Sequence, residues 1–189
     1  MIYMNRLFLI LIATLCIFSI GKSAYPASLD SDWKGLIIDG RNFWFMITKP
    51  DGWNVEINDA NARMLNAYFV PNGHTFNKAP SVMYIRVMDK QGLTVEQHLK
   101  ADTENFKKRH SIQLKKFDVK DIRYRHATSL YLIDNEFCDY LCYIDPGEGY
   151  RSYLIFVLSS DMNICGKYTD VFRTFLKSFL WGGDDVRIQ

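Results

Sequence analysis

Apolar and polar positions alternate with a period of two through most of this chain and switch to a period near 3.6 in two places, which predicts strands interrupted by two helices. Phe43, Phe45 and Ile47 interleave with Trp44, Met46 and Thr48, so both faces of the first strand are largely apolar, as in a strand covered on both sides. Pro50-Asp51-Gly52 supplies a turn, because proline fixes φ and glycine accepts a left-handed position. Trp53, Val55 and Ile57 resume the alternation, giving strand–turn–strand. Further strands are predicted over 64–70 and 81–88, separated by the Pro/Gly/Asn-bounded loop 71–80. The first helix spans 94–109. Thr94 and Gln97 have capping-box spacing, and Val95, Leu99, Asp102 and Phe106 share one stripe. Strands over 112–119, 129–133, 136–144 and 152–158 follow, the last two joined by the hairpin loop DPGEGY, 145–150. Tyr168, Val171, Phe172, Phe175, Leu176 and Phe179 form the continuous apolar stripe of a closing helix. The expectation is an α+β fold, an antiparallel sheet packed by two main helices, occupying 35–181 with a polar tail at 182–189.

The ends change the picture of where the protein lives. Residues 7–20 are unbroken and apolar after the single charge of Arg6. That run suits a signal-peptide core and is too short for a spanning helix, which needs roughly 20 apolar residues. Small-x-small patterns place cleavage after Ser23, with Gly21 as the alternative. A lipidated reading through Cys16 would put Leu15 where a small residue is expected; a retained N-terminal anchor is a further alternative. Residues 24–34 read as a linker or loose arm. Arg6 and Lys22 are the only charges of the leader, so of 23 basic residues 21 remain against 21 acidic, and nothing in the overall charge points to nucleic acid. Export places the chain where disulfides form.

Cys138 and Cys142 lie four residues apart in one predicted strand, about 13 Å, too far to bridge each other but pointing to one face. If DPGEG is the hairpin loop, Cys138 lies near the open end, and Cys165 returns to that end after the second strand. Cys138–Cys165 is therefore the expected disulfide, with Cys142 a buried thiol outside it. The alternative is three small buried apolar residues. The spacing supports no metal or redox site, and no cofactor is implied.

The four histidines, 74, 98, 110 and 126, are scattered, and His110 at a helix end needs no further role. No hydrolase or phosphate-loop motif is present, and the carboxylate pairs Asp134/Glu136 and Asp145/Glu148 have no evident shared cleft. Charge is uneven, however. Lys107, Lys108, Arg109, Lys115, Lys116, Lys120, Arg123 and Arg125 face only Asp118 and Asp121 within 107–126. All of these except Lys120 are the candidate contact residues for an acidic partner or an anionic lipid surface.

KPDGW (49–53), TVEQHLKADTENFKKR (94–109) and YLIFVLSS followed by YTDVFRTFLKSF (153–179) together resemble, in their order, the PsbP/Mog-like superfamily of α/β/α sandwiches. That resemblance implies a small domain of bacterial envelopes and photosynthetic lumens that acts mostly by binding partners. The superfamily has no shared catalytic residues, so no site carries over. The expected function is thus an exported, non-enzymatic binding domain for another envelope protein, with peripheral membrane contact open. The alternatives are a carrier with an aromatic-lined pocket between sheet and helix for a small ligand or lipid, and a hydrolase using His74 or His126.

Overall fold

The computed structural model describes residues 35–40, 42–109, 113–119, 122–133 and 136–184. All of them fall in one compact unit, 34–189. The expected leader, the arm 24–34, His110, Lys120, Asp134 and the end of the tail lie outside the described residues.

Two antiparallel sheets are present. In the smaller, β2 (Phe43–Ile47) lies between β1 (Leu36–Gly40) and β10 (Leu180–Asp184). The larger comprises β3 (Trp53–Glu56), β4 (Ala67–Pro71), β5 (Ser81–Asp89), β6 (Gln113–Lys116), β7 (Arg125–Ile133), β8 (Phe137–Asp145) and β9 (Ser152–Asp161), in the order β3-β4-β5-β9-β8-β7-β6. Its neighbours are all antiparallel. The strand–turn–strand expected at 43–57 is there, but Gly52, at φ +77°, turns the chain from one sheet into the other rather than closing a hairpin.

Period-two alternation sorts the large sheet into two faces. One carries Phe69, Met83, Ile85, Cys138, Tyr140, Cys142, Phe156 and Leu158, which pack with Ile38, Phe45 and Ile47 of the small sheet in a single core. Helix α3 (Thr169–Lys177) closes that core with Phe172, Phe175 and Leu176, the stripe read from the sequence. Helix α2 (Val95–Arg109) covers the opposite face, where Val95 and Leu99 meet Leu141, Tyr143, Tyr153, Ile155 and Val157. The layers are therefore helix, sheet, then helix with a second sheet.

Local sequence explains the boundaries. The capping box forms reciprocally: Thr94 N–H donates to Gln97 Oε1 at 2.7 Å, and Gln97 N–H to Thr94 Oγ1 at 3.2 Å. The strand expected from residue 64 starts instead at Ala67, because a short helix α1 (Asn58–Ala62) and a turn with Met64 at φ +58° occupy the preceding residues. Asp59 holds this turn by accepting from Arg63 Nε at 3.0 Å and from the Tyr68 hydroxyl at 2.8 Å. Of the segment expected to be tail, residues 182–184 belong to β10. Gly182 is small because the Trp44 indole lies across it, and a Cβ there would collide with the ring.

Candidate binding surface

The basic residues chosen from sequence spread along one edge of the domain rather than forming one patch. Lys107 and Lys108 stand exposed on the last turn of α2, Lys107 paired with Glu104 at 3.3 Å. Arg109 ends the helix. Lys115 and Lys116 are exposed on β6, the edge strand of the large sheet. Lys115 is in register with Tyr131, and Tyr131 with Tyr140, a residue of the α3-side core. Lys116 is in register with Leu130 and through it with Leu141, on the α2 side. The two lysines thus lie on opposite faces. Arg123 is exposed in the crossing from β6 to β7, beside Ile122 and Tyr124, which pack on the core. Arg125 begins β7 opposite Asp145, about 17 Å along the strand from the level of Lys116.

The α2 face is chemically richer. Asp102, the one polar member of the helix stripe, accepts a hydrogen bond from the Tyr143 hydroxyl at 2.8 Å. Burial, with the neighbouring Asp102 carboxylate, pushes Tyr143 far above the ordinary tyrosine range. Burial also pushes Tyr84 and Tyr153 up to about 12, the charge of Asp139 adding for Tyr84 and that of Asp102 for Tyr153, while Arg86 pulls both down. Arg86 Nε is buried with no hydrogen-bond partner among the described residues. The Tyr143–Asp102 bond pins the helix to the sheet.

Two grooves lie beside the helices. One, of about 530 Å³, runs along the α2 face at the start of β5 and β8, between Phe76, Lys78, Val82, Tyr84, Phe137 and Asp161. The other, of about 600 Å³, lies on the other side, between the β2–β3 turn (Thr48, Pro50, Asp51) and Val171, Thr174 and Phe175 of α3. Phe137 was not singled out from the sequence. It occupies an inward position of an alternating strand, and only its place at the sheet's end leaves it 44% exposed.

Cys138 and Cys165 form a disulfide with Cα atoms 5.9 Å apart, and Cys142 is buried on the same sheet face. Cys165 follows a 3-10 turn, Met162–Ile164, that carries the chain back over the open end of the β8–β9 hairpin. His74 is exposed in the 71–80 loop. His98 stacks on Tyr153, with ring centroids 4.7 Å apart, and its Nε2 lies 2.8 Å from the Lys90 carbonyl. His126 lies on β7. Asp145 accepts from Lys90 Nζ at 2.8 Å and from the Gly147 N–H, so it anchors the hairpin loop. Among the described residues no group of three or more His, Cys, Asp or Glu is placed to hold a metal ion.

No family model matches the chain, and no curated protein does. Among solved structures it is similar to the solution structure of cyanobacterial PsbP (CyanoP) from Synechocystis sp. PCC 6803, at 12% identity and a TM-score of 0.47, over 82% of this chain and 98% of that one. That similarity is one of fold, and it carries nothing about activity or partners.

Proposed function

We propose that this chain is an exported, non-catalytic binding domain whose partner is another envelope protein with an acidic surface. The observation that carries the reading is the exposed basic edge. Lys107, Lys108, Lys115 and Lys116 all reach solvent where α2 ends and β6 begins, on a chain whose charges sum to zero after the leader, so that the rest of it carries the balancing negative charge. An edge strand bearing lysines resists pairing with further strands and offers charge-steered contact instead. The apolar leader pattern and a disulfide, which persists in oxidising compartments, support export.

The test is in-cell crosslinking of the tagged protein, comparing wild type with Lys107, Lys108, Lys115 and Lys116 all changed to Glu. A dominant envelope protein captured by wild type and lost in the variant is expected. Capture that survives the reversal removes the basic edge from the reading, and no capture at all removes the protein partner. The groove between the β2–β3 turn and α3, walled by Pro50, Val171 and Phe175, favours a second reading, a carrier of a small apolar ligand. Native mass spectrometry would then show an adduct that denaturation releases.

A further inference from the structure

We propose that the groove on the α2 face, at the start of β5 and the end of β9, is a binding site for a short zwitterionic peptide with apolar side chains, a dipeptide in the simplest case. The site is separate from the basic edge and from the groove beside α3, so the inference rests on neither reading above. Strand register sets its floor. Val82 on β5 pairs with Ser159 on β9, and Ser159 with Asp139 on β8; two residues on, Asp161 pairs with Phe137. Alternation keeps Val82, Tyr84, Phe137, Ser159 and Asp161 on one face of the sheet. The 3-10 turn Phe76–Lys78, which leads into β5, is the facing wall. At about 530 Å³ the groove falls within the usual range of small-ligand sites.

Four polar side chains line the groove without partners. Among the described residues the Lys78 ammonium, the Tyr84 and Ser159 hydroxyls and the Asp161 carboxylate make no hydrogen bond or ion pair. Asp161 immediately precedes the 3-10 turn Met162–Ile164, yet its side chain caps nothing there. The charges are sorted by sign. Lys78 stands on the turn side with Arg63, which lies 4.4 Å from the centre of the Phe76 ring while paired with Asp59. Asp161 and Asp139 stand on the β8–β9 side. Lys78 comes two residues before Pro80, whose carbonyl accepts the Asp161 N–H at 2.9 Å. The two backbones are thus within about 12 Å of each other. Two extended residues span about 7 Å, so a dipeptide can set its ammonium on Asp161 and its carboxylate within reach of the long Lys78 side chain. Phe76 and Phe137 supply apolar surface for its side chains, and the two hydroxyls can bond its peptide group. A simple anion or an apolar molecule would leave one of the two charges unanswered, which selects a ligand carrying both.

The experiment is isothermal titration of the purified protein with leucyl-phenylalanine, with its N-acetyl form and with its C-terminal amide. No partner protein is present, so the outcome is separate from that of the crosslinking test. Saturable binding of the free dipeptide is expected, weakened about tenfold by blocking either end. K78Q should weaken the free dipeptide about tenfold and leave the affinity for the amide unchanged. D161N should do the same for the free dipeptide and leave the acetylated form unchanged. Both variants should keep the wild-type melting temperature, because neither side chain is held by a partner among the described residues. No saturable binding of the free dipeptide, equal affinity for the free and blocked forms, or variants that bind all three ligands as wild type does would each overturn the proposal. Binding that responds to the block at one end only would also overturn it, since the groove would then take a single chain terminus rather than a zwitterion.

Discussion

The two faces of the large sheet are built differently. The α3 face is a dry aromatic core. Phe156 is fully buried between Phe175, at 6.0 Å, and Phe179, at 5.1 Å, and Phe45 brings in the second sheet through Phe179 at 5.6 Å. The α2 face divides into two smaller clusters, one around Val95 and Leu99 and one around Ala60, Leu65 and Tyr68. Polar groups (Asp102, Tyr143, Arg86, Asp139) and an open groove are interspersed on it. The same strands supply both faces, so propensity does not account for the difference. What differs is the cover. A helix plus a sheet covers the centre of the α3 face and leaves its groove at the rim, beside the β2–β3 turn, whereas α1 and α2 leave a strip between them on which polar side chains are tolerated.

The comparison breaks if both faces respond alike to truncation. Phe156→Ala removes a ring from the dry side and should cost about 3–5 kcal/mol, with loss of cooperative unfolding in guanidinium chloride. Leu99→Ala, under a half-exposed helix, should cost about 2–3 kcal/mol and leave the fold intact. Equal losses would mean that α2 is as much a part of the core as α3. The disulfide sharpens the contrast because it ties β8 to the turn ahead of α3, on the dry side alone. Its loop of 27 residues predicts a loss of about 3 kcal/mol for C138S/C165S, measured as a lower melting temperature that dithiothreitol reproduces in wild type. No change with reductant would mean that packing around Cys138 suffices without the bond.

The dry side was the more legible one in the sequence. The Phe172-Phe175-Leu176-Phe179 stripe, the β8–β9 hairpin and the pairing of Cys138 with Cys165 rest on local periodicity and one turn, and each follows from a few residues. The second sheet was not legible. Its third strand contains Gly182 and Gly183, which read as a tail because the reason for glycine, the Trp44 ring across the strand, lies far away in sequence. The basic run 107–125 was visible as a count, and strand alternation alone puts Lys115 and Lys116 on opposite faces, but which face each one takes is a tertiary fact. Asp102 in the helix stripe looked like the one polar interruption. Its meaning depends on Tyr143, 41 residues on. Phe137 carries no sequence signal at all, since its exposure comes from where the sheet ends.

The smallest effect separates the faces by pH. On the α2 side, Tyr84 and Tyr153 titrate near 12 rather than at their ordinary 10.0, and Tyr143 higher still. Between pH 10 and 12 the unfolded chain releases phenolic protons that the folded chain keeps. The folded state therefore binds more protons there, and stability, constant below about pH 10, falls as pH rises through these values. Tyr143→Phe leaves the half-buried Asp102 without its hydroxyl donor and should cost about 1 kcal/mol at neutral pH. It also removes one of the groups that resists ionisation, so the decline above pH 10 should become shallower than in wild type. Guanidinium chloride unfolding at pH 8, 10.5 and 11.5 measures both effects in one series. A variant weaker at pH 8 but with the wild-type slope would show that the alkaline sensitivity comes from Tyr68, Tyr84 and Tyr153, and that the Tyr143–Asp102 bond only holds the helix in place.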